Sequence, residues 1–206
     1  MIPTAPLRIR NRLAEIILAA LEKPEARREL VALGESEAPP PDWLEGEDLA
    51  CRPLVQARAV RAGAALAAHP VGRIRSRAEL LAAAATLFDA HLYFEVHELL
   101  EPSWREAEGD EREALQGLIQ IAVGYQHLAN GNLAGARALL EEGRRRMQGR
   151  MLDGLDLERF GRGVARSVDR LFELDWRTVP SFPRSESGGA AARSVGPDVN
   201  VRKEIS

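Results

Sequence analysis

The chain contains little cysteine, lysine or aromatic residue for its length of 206 residues. Cys51 is the only cysteine, which excludes an internal disulfide and a zinc site built from several thiolates. The N-terminal residues contain no signal-peptide hydrophobic region, and no apolar run approaches the roughly 20 residues that cross a bilayer. We therefore expect a cytoplasmic protein that does not enter a membrane.

Because lysine is scarce, arginine carries almost all of the basic charge. Lys23 and Lys203 are the only lysines among 28 basic residues, a bias that by itself would suit anion or nucleic-acid binding. The 31 acidic residues are interspersed along the chain, however, and the net charge is -3. We expect no nucleic-acid partner.

The composition favours helices over strands. Aromatic residues make up 5% of the chain and β-branched runs are missing, whereas hydrophobic residues reach 45% with alanine and leucine dominant. The length is enough for one globular domain with its own core. We predict an all-α fold, a multihelical bundle of stacked antiparallel helix hairpins.

The pattern of hydrophobic residues and helix breakers divides the chain into four parts. Residues 1–34 are predicted to form an N-terminal helical hairpin. Residues 35–46, rich in proline and acidic residues, are predicted to be a linker, because proline cannot propagate a helix. Residues 47–178 form the predicted helical core domain. Residues 179–206 are rich in serine, glycine and alanine and are predicted to be a disordered tail.

The predicted core domain contains a central pair of helix hairpins. Its helices are expected at about residues 47–69, 76–89, 92–107, 110–129, 132–148 and 156–173. The central four repeat at an offset of 40 residues, and their small apolar positions resemble a tetratricopeptide repeat. Gly131 and Asn132 predict a C-cap followed by an N-cap. His91 occupies the position of Gly131 in the other copy, so we predict a turn residue with positive φ. Asp110 with Glu113 predicts a capping box.

Residues 93–104 carry one histidine and three glutamates on a predicted helix that also has an apolar face. A helical projection places His97 inside the apolar stripe and Glu101 one turn beyond it on the same side. The helix at 110–129 is apolar almost all round, except for a narrow seam formed by Gln116, Gln120 and His127. If this seam faces the first helix, the two helices enclose a polar pocket.

The pocket allows two interpretations. In the first, His97 and Glu101 hold a divalent metal and Glu98 acts as general base, as in a metal-assisted hydrolase. The other pocket residues would then bind a small polar ligand, namely Glu95, Trp104, Gln116, Gln120 and His127. In the second, the cluster is a structural hydrogen-bond network, and the protein is a tetratricopeptide-like scaffold for a protein partner.

Other sequence features limit these interpretations. The chain contains neither the His-Glu-x-x-His motif of zinc peptidases nor the Glu-x-x-His motif of di-iron bundles. The Ala-rich helix at 47–69 has more small apolar surface than one short hairpin could cover, so a homo-oligomer is compatible with the sequence.

The central residues resemble the bacterial and archaeal family catalogued as domain of unknown function 309. The resemblance is carried by Phe88, the run Tyr93–Glu101, Trp104, the run Leu115–Gln120, His127, Gly131-Asn132 and Gly135-Ala136. It covers about residues 80–150, and Asp175-Trp176-Arg177 extends it to about 178. The family implies a small all-α multihelical fold in which a Glu-x-His-Glu-x-x-Glu helix faces the Gln/His helix. It implies no established activity, and its members usually have glycine at the position of His91.

Overall fold

A computed structural model describes residues 6–170 and 176–184. Within these residues the chain folds into eight α-helices: α1 Leu7–Glu22, α2 Pro24–Gly34, α3 Arg52–Ala68, α4 Arg77–Asp89, α5 Tyr93–Glu106, α6 Gly109–Ala129, α7 Leu133–Met147 and α8 Leu157–Asp169. Short 3-10 helices cover Gly46–Cys51 and Trp176–Thr178. The predicted all-α multihelical fold is confirmed. None of the described helices combines the length and apolar content needed to cross a membrane.

Helices that follow one another in the chain pack side by side, and α1 also reaches across to α3 and α5. The buried side chains of all eight helices join in one hydrophobic cluster. The N-terminal hairpin α1–α2 therefore packs directly against the helices that follow residues 35–45, which contain no helix. The contact between α1 and α5 places α1 against the helix that carries His97, Glu98 and Glu101.

Helices α6 and α7 approach closely because glycine faces glycine. A Cβ atom added to Gly143 would lie 2.7 Å from the carbonyl oxygen of Gly117. One added to Gly124 would lie 2.8 Å from the side chain of Leu140. As expected for the core helix, α6 buries residues on almost every side. Small residues thus set the distance between α6 and α7.

The two predicted left-handed turn residues are confirmed. His91 has φ 58° and Gly131 has φ 77°. After Gly131, the side-chain oxygen of Asn132 accepts a hydrogen bond from the backbone N–H of Gly135 at 2.9 Å. The turn before α5 and the turn before α7 therefore use the same backbone device, with histidine in place of glycine in the first.

The predicted capping box at Asp110 and Glu113 is wrong. Helix α6 begins one residue earlier, at Gly109, and its N-cap Glu108 makes no side-chain cap bond. Glu113 instead accepts a hydrogen bond from Arg146 on α7 at 2.6 Å, because long-range pairing competes with local capping for the same carboxylate. A capping box is present at the start of α4, between Ser76 and Glu79.

The predicted helix at 47–69 begins later than expected. Residues Gly46–Cys51 form a 3-10 helix, and α3 starts at Arg52 with Pro53 in its first turn. Proline lacks the N–H for an i→i−4 bond and its ring clashes with the carbonyl four residues earlier, so the α-helix cannot extend backwards through it.

A small β-hairpin not predicted from the sequence joins α7 to α8. Met151–Leu152 pairs antiparallel with Leu155–Asp156. Asp153 and Gly154 form its turn with φ 47° and 78°, the geometry that Asp-Gly favours. The dipeptide was a usable signal, but strands of two residues are too short to show alternation.

The packed chain extends beyond the predicted start of the tail at residue 179. Phe182 is only 2% exposed, and its backbone N–H donates to Asp89 Oδ1 at 2.8 Å. Its ring centroid lies 5.4 Å from that of Phe88. The rest of the predicted tail, residues 185–206, lies outside the described residues, as do residues 171–175 at the end of the last predicted helix.

Substituting Gly143 tests the close packing of α6 and α7. We expect Gly143→Ala to lower the free energy of unfolding by about 1–3 kcal/mol, because the new methyl group meets a backbone oxygen that cannot rotate away. Gly63→Ala is the matched control, since a Cβ at this helical glycine meets nothing within 4 Å. It should stabilise the protein by about 0.5–1 kcal/mol. Urea unfolding measures both, and equal effects would contradict the packing argument.

The turn at His91 predicts a pH dependence of stability. Burial lowers the pKa of His91 below its ordinary value of 6.5, and the positive charge of Arg61 lowers it further, against a smaller opposite effect of Asp89. The unfolded chain therefore takes up the proton at higher pH than the folded chain, so stability is lost as pH falls through about 6.5.

His91→Asn removes this titration and keeps a residue that tolerates positive φ. Denaturant unfolding at about pH 8 and about pH 5.5 should show the wild type losing more stability than the variant on acidification. Parallel losses in the two proteins would show that His91 does not contribute.

Candidate functional site

The solvent-facing side of α5 brings together one histidine and two carboxylates. His97, Glu98 and Glu101 each offer a ligand atom, and these atoms all lie within 4.8 Å of one another. Their spacing explains the grouping, because residues one turn apart on a helix share a face and neighbours flank it. Their side chains are 29%, 37% and 27% exposed. The cluster is therefore half-buried, with access to solvent.

Hydrogen bonds indicate the tautomer of His97 and hold the side chain of Glu101. The Nδ1 atom of His97 lies 2.9 Å from Oε1 of Glu98, and because an ionised carboxylate only accepts, Nδ1 is the donor. The neutral imidazole then keeps its lone pair on Nε2. Glu101 accepts from Arg105 at 2.8 Å, and Arg105 is exposed, so this surface pair is a weak constraint on Glu101.

Helix α1 contacts the imidazole of His97 indirectly, through the ring of Phe94. The ring of Phe94 stacks on that of His97, with centroids 6.2 Å apart and planes inclined by 30°. The guanidinium of Arg10 on α1 lies 4.1 Å from the centroid of the Phe94 ring. Residues far apart in sequence thus position His97 through an aromatic layer.

Glu95, predicted to bind ligand, instead forms a buried ion pair with a residue on α3. Its side chain is only 1% exposed, and its two carboxylate oxygens accept from Arg58 Nη2 at 2.8 and 2.7 Å. Both carboxylate oxygens are therefore occupied, so Glu95 has a structural contact that links α3 to α5. Arg58 could not be identified as this partner from sequence, because 37 residues separate it from Glu95.

The predicted residues on α6 do not all join the cluster. His127 lies near the C-terminal end of α6, where its Nδ1 is 2.8 Å from Nδ2 of Asn132, so it helps hold the turn into α7. The Oε1 atom of Gln120 is buried without a hydrogen-bond partner. Within the described residues, no hydrogen bond joins Gln116 or Gln120 to His97. An enclosed pocket between α5 and α6 stays a prediction.

Trp104 lies one helix turn beyond Glu101 and packs against the start of α6. The guanidinium of Arg112 is 4.3 Å from the Trp104 ring centroid, and Arg112 donates to the Trp104 carbonyl oxygen at 2.9 Å. The indole N–H is buried without a partner. These contacts make Trp104 an anchor for the α5–α6 connection.

Part of the chain matches a protein family model. Residues 81–139 match the family model described as Domain of unknown function (DUF309). The matched segment is therefore similar to this family. It contains α5, α6, most of α4 and the first half of α7, and therefore the whole His97, Glu98 and Glu101 cluster. No curated protein and no solved structure matches the chain. The chemistry of the chain's own residues is therefore the guide to its function.

The buried pair between Arg58 and Glu95 gives a direct test of its structural role. Arg58→Met leaves a carboxylate buried without its cation, and we expect it to lower the free energy of unfolding by about 3–5 kcal/mol. Combining it with Glu95→Leu removes both charges and should recover much of that loss. Denaturant unfolding of the single and double variants measures this coupling.

An exposed ion pair supplies the control for this cycle. Arg12 donates to Glu15 on the same helix at 3.2 Å, and both side chains are exposed. Arg12→Met should cost less than about 1 kcal/mol. A comparable loss in Arg58→Met and Arg12→Met would contradict a structural role for the buried pair.

Proposed function

We propose that this protein binds a divalent metal ion at the cluster of His97, Glu98 and Glu101, with His97 and Glu101 as its ligands. The observation that carries the proposal is the mutual distance of their ligand atoms, all within 4.8 Å. An ion of the usual protein-bound size, with bonds of about 2.0–2.2 Å to nitrogen and oxygen, brings its ligand atoms into this range of separation. Small side-chain rotations would be enough to complete the site.

The donor set favours a transition metal or zinc. One imidazole nitrogen with two carboxylates suits Zn²⁺, Mn²⁺ or Fe²⁺ better than Ca²⁺, which prefers six or more oxygen ligands. Donation from Nδ1 of His97 to Glu98 leaves Nε2 free to ligate, and it orients the ring as carboxylates behind metal-bound histidines commonly do. With three protein ligands at most and solvent access, the site would retain open positions.

Open positions are the feature that separates catalytic from structural metal sites. We infer a hydrolase-like chemistry in which His97 and Glu101 hold the ion and Glu98 is the general base. Glu98 is the most exposed of the three side chains, so it can exchange its hydrogen bond to His97 for one to a water at the site. A small polar ligand would be the substrate.

The second candidate function, a tetratricopeptide-like scaffold for a protein partner, stays a prediction. The close crossing of α6 and α7 is consistent with it, but the crossing also follows from core packing alone. The metal proposal has the stronger support, because a histidine with two carboxylates on one open face has a chemical use beyond packing.

Metal binding can be tested by elemental analysis of untagged protein and by titration calorimetry with Zn²⁺ and Mn²⁺. We expect one ion per chain and a thermal midpoint that falls when a chelator is added, since a ligand that binds only the folded state stabilises it. His97→Ala and Glu101→Gln should each weaken binding at least about tenfold.

Glu106→Gln is the matched control, because Glu106 is an exposed glutamate at the end of the same helix and stands outside the cluster. It should bind metal as the wild type does. The proposal fails if no stoichiometric metal binds and chelator leaves the melt unchanged. It also fails if Glu101→Gln and the control behave alike.

A further inference from the structure

A second region of interest lies at the N-terminal end of α5, between the N-terminal helices and the C-terminal end of α6. A cavity of about 450 Å³ is lined there by residues of α1, α3, α5 and α6 together with His91 and Trp176. The volume is in the range of cavities that hold small organic molecules, and well above the space needed for an inorganic ion. None of the cluster residues His97, Glu98 and Glu101 lines it.

Positive charge dominates the polar part of this cavity. Arg10, Arg58 and Arg61 all line it. Arg58 is neutralised by Glu95, whereas within the described residues neither Arg10 nor Arg61 forms an ion pair. The Nε atom of Arg10 is moreover buried without a hydrogen-bond partner. Within the described residues, therefore, no carboxylate pairs with either of these two guanidinium groups of the cavity.

The carboxylate of Asp89 does not alter this balance. Asp89, whose charge acts on His91, is already bound by Arg184 at 2.6 Å. Burial together with the charge of Arg61 lowers the pKa of His91, as expected in a partly desolvated site with excess positive charge. An anionic group entering the cavity would meet attraction from Arg10 and Arg61.

The rest of the cavity wall is apolar and partly aromatic. Aliphatic side chains line one part, namely Ile9, Leu13, Leu54, Val55 and Ala57. The rings of Tyr93 and Trp176 line another part and are stacked on each other, with centroids 6.5 Å apart and planes inclined by 21°. Such a wall favours a flat apolar body over a second charged group. Gln126 and Asn130 add neutral hydrogen-bonding groups.

We propose that this cavity binds a small organic carboxylate with an apolar, planar body, its carboxylate paired with Arg10 and Arg61. The guanidinium groups supply donors that match a carboxylate, and the aliphatic and aromatic walls cover the body. This site is separate from the metal cluster, so either proposal can fail without the other.

The test uses 1-naphthoate as the probe and titration calorimetry on the full chain, with methyl chemical shifts of Ile9, Leu13 and Val55 reporting the location. We expect saturable binding that weakens with added salt. Arg61→Ala should weaken it about tenfold or more, since a charge-assisted hydrogen bond is lost. Arg61 is exposed and unpaired, so its loss should leave the melting temperature unchanged.

Further variants and probes separate the parts of the proposal. Ala57→Phe, at an exposed position on the wall, should block the cavity and abolish binding while retaining all three arginines. Arg28→Ala removes an exposed arginine that does not line the cavity, and it should bind as the wild type does.

Several results would overturn the proposal. Equal affinity for 1-naphthoate and the neutral 1-naphthalenemethanol would remove the role of the arginines. Equal affinity for inorganic phosphate would remove the role of the apolar walls. Absence of saturable binding to the wild type, or equal effects of Arg61→Ala and Arg28→Ala, would show that the cavity is not a carboxylate site.

Discussion

The buried ion pair between Arg58 and Glu95 connects the parts of this protein that carry its chemistry. Glu95 on α5 is only 1% exposed, and an unpaired carboxylate at such a position would lose most of its hydration energy. Arg58 supplies the opposite charge from α3 with two short hydrogen bonds. The pair therefore fixes α3 against α5. Arg58 also lines the cavity, and Glu95 precedes the first cluster residue, His97, by two positions.

Helix α5 presents different chemistry on its different faces. The face towards α3 carries Glu95, which is buried against Arg58, and the partly exposed face carries the histidine and carboxylates of the cluster. The period of the helix separates Glu95 from His97, since residues two apart point about 200° from each other. Arg10 touches both sites, because it lines the cavity and also lies over Phe94, which stacks on His97. Arg10 is therefore part of both the cavity wall and the aromatic layer beside His97.

Local sequence signals predicted the helices and turns well. Contacts between residues far apart in the sequence were predicted poorly. Apolar periodicity defined α4 to α7 to within a few residues, and the left-handed turn at His91 followed from comparison with Gly131, because both depend only on neighbouring residues. The grouping of His97, Glu98 and Glu101 followed from helical spacing for the same reason. The partner of Glu95 could not be predicted, since the projection of one helix shows which residues are buried but not which other helix covers them. For the same reason Glu113 paired with α7 instead of capping α6.

The two candidate sites differ in how they relate to the segment that matches the DUF309 family model. The matched segment, residues 81–139, contains all three cluster residues, and Glu95 as well. The three arginines of the cavity lie on α1 and α3, before the segment begins. The cluster can thus form on helices inside the matched segment, whereas the positive charge of the cavity depends on helices outside it. If both proposals hold, metal binding is a property of the matched segment, and selection of an organic carboxylate is a property of the N-terminal helices packed onto it.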